Sequence, residues 1–243
     1  MNVSPADQRR LLDLADLDAR IRHADHARRN PPHAARVREL LTQRQQLAQE
    51  LSTRLGMRDD LQVQLTRLES DVALVDARAQ RDTERLRTVT NPKDAQGLEH
   101  ELASLAKRKS DLEDAELELM ERLEAADADV AAQETLIAVT NDEGARLSAE
   151  GKAAVAAATE QFEAATRDRA ALSAEVAPGL LALYERAAAR SAGAALLRRQ
   201  TCEGCRMVLA GTDLQAIRVA ADDAVVTCPE CGCILVRTEE SGL

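Results

Sequence analysis

The 243-residue sequence has one Phe (Phe162), one Tyr (Tyr184) and no Trp, with 45% hydrophobic residues, 30% charged residues and a formal net charge of −10. Ala and Leu supply most of the apolar content, which disfavours the thick, ring-filled core of a large β-sandwich or α/β barrel and points to long helices meeting along narrow seams. No run of about 18 apolar residues occurs and residues 1–20 hold no continuous apolar stretch, so the sequence predicts no membrane span, no signal peptide and a cytoplasmic location.

In chain order, Ser4-Pro5 opens a first helical segment, which the run Asn30-Pro31-Pro32 interrupts. Residues 20–44 carry seven arginines against Asp25 and Glu39, with His23, His26 and His33 among them. His23 and His26 lie three apart on one helix, but no third ligand is placed to complete a metal site, so they read as solvated or packing residues. From Val37 a seven-residue pattern runs through Val37, Arg44, Leu51, Arg58, Leu65, Val72, Ala79 and Leu86. Its companion set is Leu40, Leu47, Arg54, Leu61, Leu68, Val75, Asp82 and Val89. Only a 3.5-residue repeat keeps one stripe facing a partner helix over eight heptads, so this segment predicts a coiled-coil helix of about 85 Å.

Thr90-Asn91-Pro92-Lys93-Asp94 stops the pattern, because Pro92 lacks an amide hydrogen and biases Asn91 away from helix. Heptads resume at Leu98, Leu102, Leu105, Leu112, Leu119, Leu123, Ala126, Val130 and Ile137. Two long seams joined by a few residues pair antiparallel, with the tip near residues 90–94. Reflection about that tip puts Asn30-Pro31-Pro32 level with Gly151, and Ser4-Pro5 level with Pro178-Gly179. The sequence therefore predicts a rod over 1–195 with a joint near 30–32 and 151; Pro31–Pro32 merely separating two ordinary helices is the alternative. The polar seam residues Arg44, Arg54, Arg58, Asp82, Lys109 and Glu116 read as register control, with a partner site as the alternative. Residues 111–150 hold 13 acids against Arg122 and Arg146, and exposed Ala-rich faces leave room for a homodimer.

Arg186, Arg190, Arg198 and Arg199 precede the cysteines, with Glu185 the only acid from 185 to 199, and Arg9, Arg10, Arg20 and Arg22 fall at a similar height in the hairpin. They form either a solvated face or the contact for an anionic partner such as nucleic acid.

All five cysteines follow residue 201. Cys202-Glu-Gly-Cys205 and Cys228-Pro-Glu-Cys231 are two C-x-x-C pairs at zinc-ribbon spacing, and two such knuckles close a four-sulfur site for one structural Zn²⁺. Gly204 and Gly232 are expected to supply positive φ, and Pro229 to stiffen the second turn. Met207-Val-Leu, Ile217-Arg-Val, Val225-Val-Thr and Ile234-Leu-Val read as β-prone stretches of a module over 196–243, which metal binding would hold folded in place of a core. A redox pair is the competing reading, but no βαβ pattern surrounds either C-x-x-C. Cys233 is a substitute ligand, an exposed thiol or buried filler, and is expected to be a spectator. Residues 200–243 set Arg206, Arg218 and Arg237 against seven acids, a poor surface for phosphates. Nothing reads as an active site, so the sequence predicts no enzyme.

A long hairpin followed by Leu183-Tyr184-Glu185, Cys202-x-x-Cys205-x-Met207 and Cys228-Pro-x-Cys231-Gly232 resembles the bacterial C4-type zinc-ribbon coiled-coil family, with an actinobacterial relative as the expected source. The resemblance implies a mainly α protein: a long antiparallel coiled-coil helical hairpin with a small C-terminal β zinc ribbon, liganded by Cys202, Cys205, Cys228 and Cys231. A flagellar member of that family is similar in layout and acts as a chaperone-like adaptor for an alternative sigma factor and a flagellin transcript; such a role does not travel with the fold. Where the family continues its second knuckle Cys-Gly-Arg-Ile-Leu-Tyr, this chain has Cys231-Gly-Cys233-Ile-Leu-Val236. The leading functional expectation is a non-enzymatic adaptor that binds protein partners through rod and ribbon. The alternatives are a nucleic-acid-binding regulator using the basic base of the rod and, more remotely, a redox switch at Cys233.

Overall fold

Ser4 caps the first helix by accepting the Asp7 amide at 3.1 Å, and α1 then spans Pro5–Arg29 with proline in its first turn, where no amide hydrogen is needed. In the computed structural model, which describes residues 1–243, α1 is followed by α2 (Ala34–Thr88), α3 (Pro92–Glu175), α4 (Pro178–Ala188), β1 (Ala194–Arg198), β2 (Thr201–Cys202), α5 (Gly211–Val219), β3 (Val226–Thr227), β4 (Ile234–Val236) and a closing 3-10 turn, Glu239–Ser241. Asn91 caps α3 by accepting the Lys93 amide at 3.1 Å, which puts Pro92 at the start of the second long helix and the tip at residues 89–91. The chain divides into two compact units, residues 1–34 with 149–243, and residues 35–148.

The unit 35–148 is an antiparallel pair made from α2 and the first part of α3. Of the sixteen seam positions from Val37 to Val89, only Arg44 is exposed; the others are buried or half-buried. Partners across the seam stand at the levels that reflection about the tip requires. Arg36 meets Glu143 at 3.0 Å, Arg54 Nη1 lies 3.5 Å from the Asp129 carbonyl, the Gln133 amide donates to the Leu47 carbonyl at 3.0 Å, and Lys109 grips both oxygens of Asp76 at 2.7 and 2.9 Å. Arg54 and Lys109 thus bond across the hairpin, as register control requires. Asp82 is the exception. It is buried, its nearest cations Arg78 and Arg85 stay 3.9 and 3.7 Å away, and Oδ2 makes no hydrogen bond.

In the other unit the break after α1 affects one strand of the hairpin only. Asn30 ends α1, its side chain returning to the His26 carbonyl at 2.9 Å, and His33 adopts φ 64° before α2, whereas α3 runs through residue 151 without interruption. Gly151 fits because a Cβ there would come within 3.3 Å of the Pro32 carbonyl oxygen.

The four strands form one sheet in the order β2-β1-β4-β3, with β1 parallel to β4 and the outer pairs antiparallel. Side-chain alternation gives that sheet two buried faces. Ala194, Ile234 and Val236 pack with Leu11, Leu14, Val176, Leu180 and Tyr184 from α1, α4 and the chain leading into α4. Ala195, Leu197, Cys233 and Leu235 face the opposite way, onto Leu209, Ile217, Cys202 and Cys228. This corrects the expectation of a tail without a core: the ribbon shares one with the helices. Two element assignments also change. Ile217-Arg-Val lies in α5, where Asp213 in the first turn and Arg218 in the last complement the helix dipole, and β1 begins at Ala194 in a stretch read as rod. The N-terminus joins the same assembly. Val3 donates its amide to the Asp223 carbonyl at 2.7 Å, and Val225 to that of Met1 at 3.1 Å.

Candidate metal centre

Both knuckles are built on one backbone pattern. In the first, the Cys202 amide donates to the Met207 carbonyl at 2.9 Å and the Arg206 amide to the Cys202 carbonyl at 2.7 Å. In the second, the Cys228 amide donates to the Cys233 carbonyl at 2.8 Å and the Gly232 amide to the Cys228 carbonyl at 2.9 Å. The residue after each second cysteine takes a positive φ, 61° at Arg206 and 74° at Gly232. Positive φ at Gly204 is therefore a wrong expectation. Gly204 serves close approach instead, since a Cβ there would stand 3.1 Å from Ala195 Cβ and 3.3 Å from the Cys233 sulfur.

The two turns bring the sulfurs of Cys202, Cys205, Cys228 and Cys231 within 4.8 Å of one another. Cys202 and Cys231 are 4.0 Å apart, and Cys205 and Cys228 3.8 Å. With Zn–S near 2.3 Å, a tetrahedron of thiolates has edges of about 3.8 Å, so the set fits one structural Zn²⁺. Burial pushes the Cys228 thiol up to about 12. Burial also acts to raise Cys231, but the Cys233 amide and the neighbouring thiols outweigh it and hold that group at about 7. Metal binding deprotonates such thiols, so affinity declines as pH falls.

Cys233 is not an exposed thiol. It is fully buried, with its sulfur 3.5 Å from that of Cys202 and 3.4 Å from that of Cys231.

The four arginines of the basic stretch do not share one environment. Arg186, in the last turn of α4, and Arg190 line a cavity of about 210 Å³ together with Thr227, Cys231 and Gly232. Arg198 ends β1 and is engaged by acids, with Nε 2.8 Å from Glu240 and Nη1 3.7 Å from Glu203. Arg199 occupies the β1–β2 turn at φ 47°, its amide held by the Glu240 carbonyl at 2.8 Å.

Two structural groups escaped the sequence reading. Arg237 directs its guanidinium at five carbonyls, those of Ile217, Ala220, Ala221, Asp222 and Ala224, at 2.6–3.2 Å, and so caps the end of α5. Tyr184 donates to Asp18 at 2.7 Å, and Arg169 holds the other oxygen of that carboxylate at 2.7 Å, tying α4, α3 and α1 together. Neither pairing leaves a spacing signal, because the partners lie far apart in the chain.

Residues 14–192 match the family model described as a CT398-like coiled coil hairpin domain. The chain belongs to that family. Residues 201–235 match the C4-type zinc ribbon domain. These are coiled-coil and zinc-ribbon families, not enzyme families. A protein of Mycobacterium tuberculosis is 33% identical over 241 residues, 98% of each chain. One from Mycobacterium leprae is 32% identical over 182 residues, 72% of this chain and 77% of the relative. A solved Mycobacterium smegmatis structure superimposes with a TM-score of 0.75 at 31% identity, covering 98% of this chain and all of that one. CT398 from Chlamydia trachomatis aligns at a TM-score of 0.55 and 16% identity over 96% of this chain and 98% of its own, which shows the shared fold. The curated relatives are mycobacterial and hence actinobacterial. Like the sequence, the structure has no helix long and apolar enough to cross a membrane.

Proposed function

We propose that this CT398-like hairpin protein is a non-enzymatic, cytoplasmic adaptor, in which the coiled-coil hairpin presents protein-binding surface and the zinc ribbon is a rigid docking module. Cys202, Cys205, Cys228 and Cys231 are its zinc ligands. The observation that carries the reading is apolar surface the hairpin does not use for itself. Leu74, Met57, Leu117 and Val139 are 60–68% exposed, whereas Leu40, Leu65, Leu112 and Leu119 on the seam are buried. Isolated apolar residues are ordinary on a surface, but four of them so exposed on one hairpin offer a partner apolar contacts that the seam does not take up. Four thiolates occupy every position of a tetrahedral zinc, which leaves none for a substrate. Crosslinking in cells with the intact chain, followed by identification of protein and RNA partners, tests this. Protein partners lost on Leu74→Ser with Leu117→Ser support it, and recovery of none overturns it. A second copy of the chain is one such partner, read from the mass in solution.

A nucleic-acid-binding regulator is the second reading, favoured by Arg186 and Arg190 sharing one cavity beside the ribbon. It predicts RNA or DNA binding that falls steeply with salt and weakens on Arg186→Glu with Arg190→Glu; salt-independent binding, or none, removes it.

A further inference from the structure

The cluster holds one sulfur more than zinc needs. In the first knuckle, Met207 occupies the position that Cys233 occupies in the second: each supplies the carbonyl that accepts the amide of the first cysteine. Met207 is 51% exposed, so this backbone turn does not require a buried sulfur at that place. Cys233 nevertheless turns inward, and the missing side chain of Gly204 leaves room for its sulfur. The distances of 3.5 Å to Cys202 and 3.4 Å to Cys231 are close to an edge of a zinc–thiolate tetrahedron. No comparable contact reaches Cys205 or Cys228, whose sulfurs pair with each other at 3.8 Å. Cys231 is only half-buried and lines the Arg186–Arg190 cavity, so of the Cys202–Cys231 edge it is the sulfur that solvent reaches.

We propose that Cys233 is a fifth metal-binding thiol, which takes over the coordination position on the Cys202–Cys231 edge when Cys231 is lost or blocked. The ligand set is then Cys202, Cys205, Cys228 and Cys233, with the buried sulfur standing behind the reachable one. No redox step is involved. A proton leaves the Cys233 thiol as its sulfur binds the metal, and the departing Cys231 sulfur carries its substituent or proton away. The inference rests on the four-thiol zinc site but not on any partner of the adaptor.

The test is cobalt and zinc loading of the full-length chain, read by metal per chain and by thiolate-to-cobalt charge-transfer intensity, which counts bound sulfurs. Cys231→Ser is expected to keep one metal and a four-thiolate spectrum. Cys231→Ser with Cys233→Ser falls by about a quarter, to three thiolates, and so does Cys228→Ser, which Cys233 does not reach. A three-thiolate spectrum for Cys231→Ser alone, or its failure to hold metal, overturns the proposal. Limited alkylation of the folded wild-type chain avoids any folding defect. Chains alkylated at Cys231 keep zinc in native mass spectra, and lose it when Cys233→Ser is also present; equal loss in both overturns the inference. A wild-type chain that binds no metal would instead remove the zinc reading itself.

Discussion

The hairpin of residues 35–148 and the unit formed by residues 1–34 and 149–243 are stabilised in different ways. In the hairpin almost every buried side chain belongs to one stripe per helix, and polar residues such as Lys109 and Arg54 fix its register by bonding across it. In the other unit a four-stranded sheet is buried on both faces, by helices on one side and by the thiol cluster with α5 on the other. A seam can be lengthened or cut at small local cost. A layered core fails when either layer is removed, because each face of the sheet depends on a different partner.

Removing the metal should separate the two regions most strongly. Structural zinc in small domains contributes roughly 10–16 kcal/mol of apparent binding energy at neutral pH. Chelation or Cys228→Ser is expected to abolish amide-exchange protection across 201–233 while 35–148 keeps its own. Far-UV circular dichroism should change little, since most helical residues lie in α1–α3. Simultaneous loss of protection in the hairpin would break the contrast. Truncation of apolar side chains gives the next largest difference. Leu180, 1% exposed beneath the sheet, should cost about 2–5 kcal/mol as Leu180→Ala, and half-buried Leu68 on the seam about 1–2 kcal/mol, both read by denaturant unfolding.

Asp82→Leu sharpens the picture from the other side. Replacing a buried carboxylate that lacks a hydrogen bond should stabilise the hairpin by about 1–3 kcal/mol, visible as a higher unfolding midpoint. Tyr184→Phe should cost about 1–2 kcal/mol by removing the bond to Asp18. Burial, then that bond, raise the Tyr184 phenol above its ordinary value of 10.0, so the unfolded chain ionises first. Its contribution is whole below about pH 10 and is lost as pH climbs further; a stability–pH curve should show this decline in the wild type and not in the phenylalanine variant. The smallest effect is a gain. Arg206 holds φ 61°, which glycine adopts without strain, so Arg206→Gly should add about 1 kcal/mol, measured by thermal unfolding at fixed zinc.

The polar seam and the second knuckle show how far the residues alone carry. Pro92 and the heptads on either side of Asn91 place the hairpin, because helix periodicity and helix termination are local properties of the chain. The C-x-x-C pairs likewise reveal their metal, since each turn sets the spacing of its own two sulfurs. Ile217-Arg-Val deceived for the same reason: its β-branched residues favour strand locally, but dipole-matching charges and the Arg237 cap stabilise α5.

Sequence by itself determined the long helices, the tip and the four-thiol cluster, all of which follow from repeats and spacings within a few residues. Only the tertiary structure decided that Ala194–Arg198 is a strand, that it runs parallel to Ile234–Val236 and that Tyr184 and Leu180 form the floor of the ribbon. It also decided that Cys233 faces the metal site and Met207 faces solvent at matching places in the two turns. Those outcomes depend on which distant segments compete for the same buried area, and no local pattern encodes that competition.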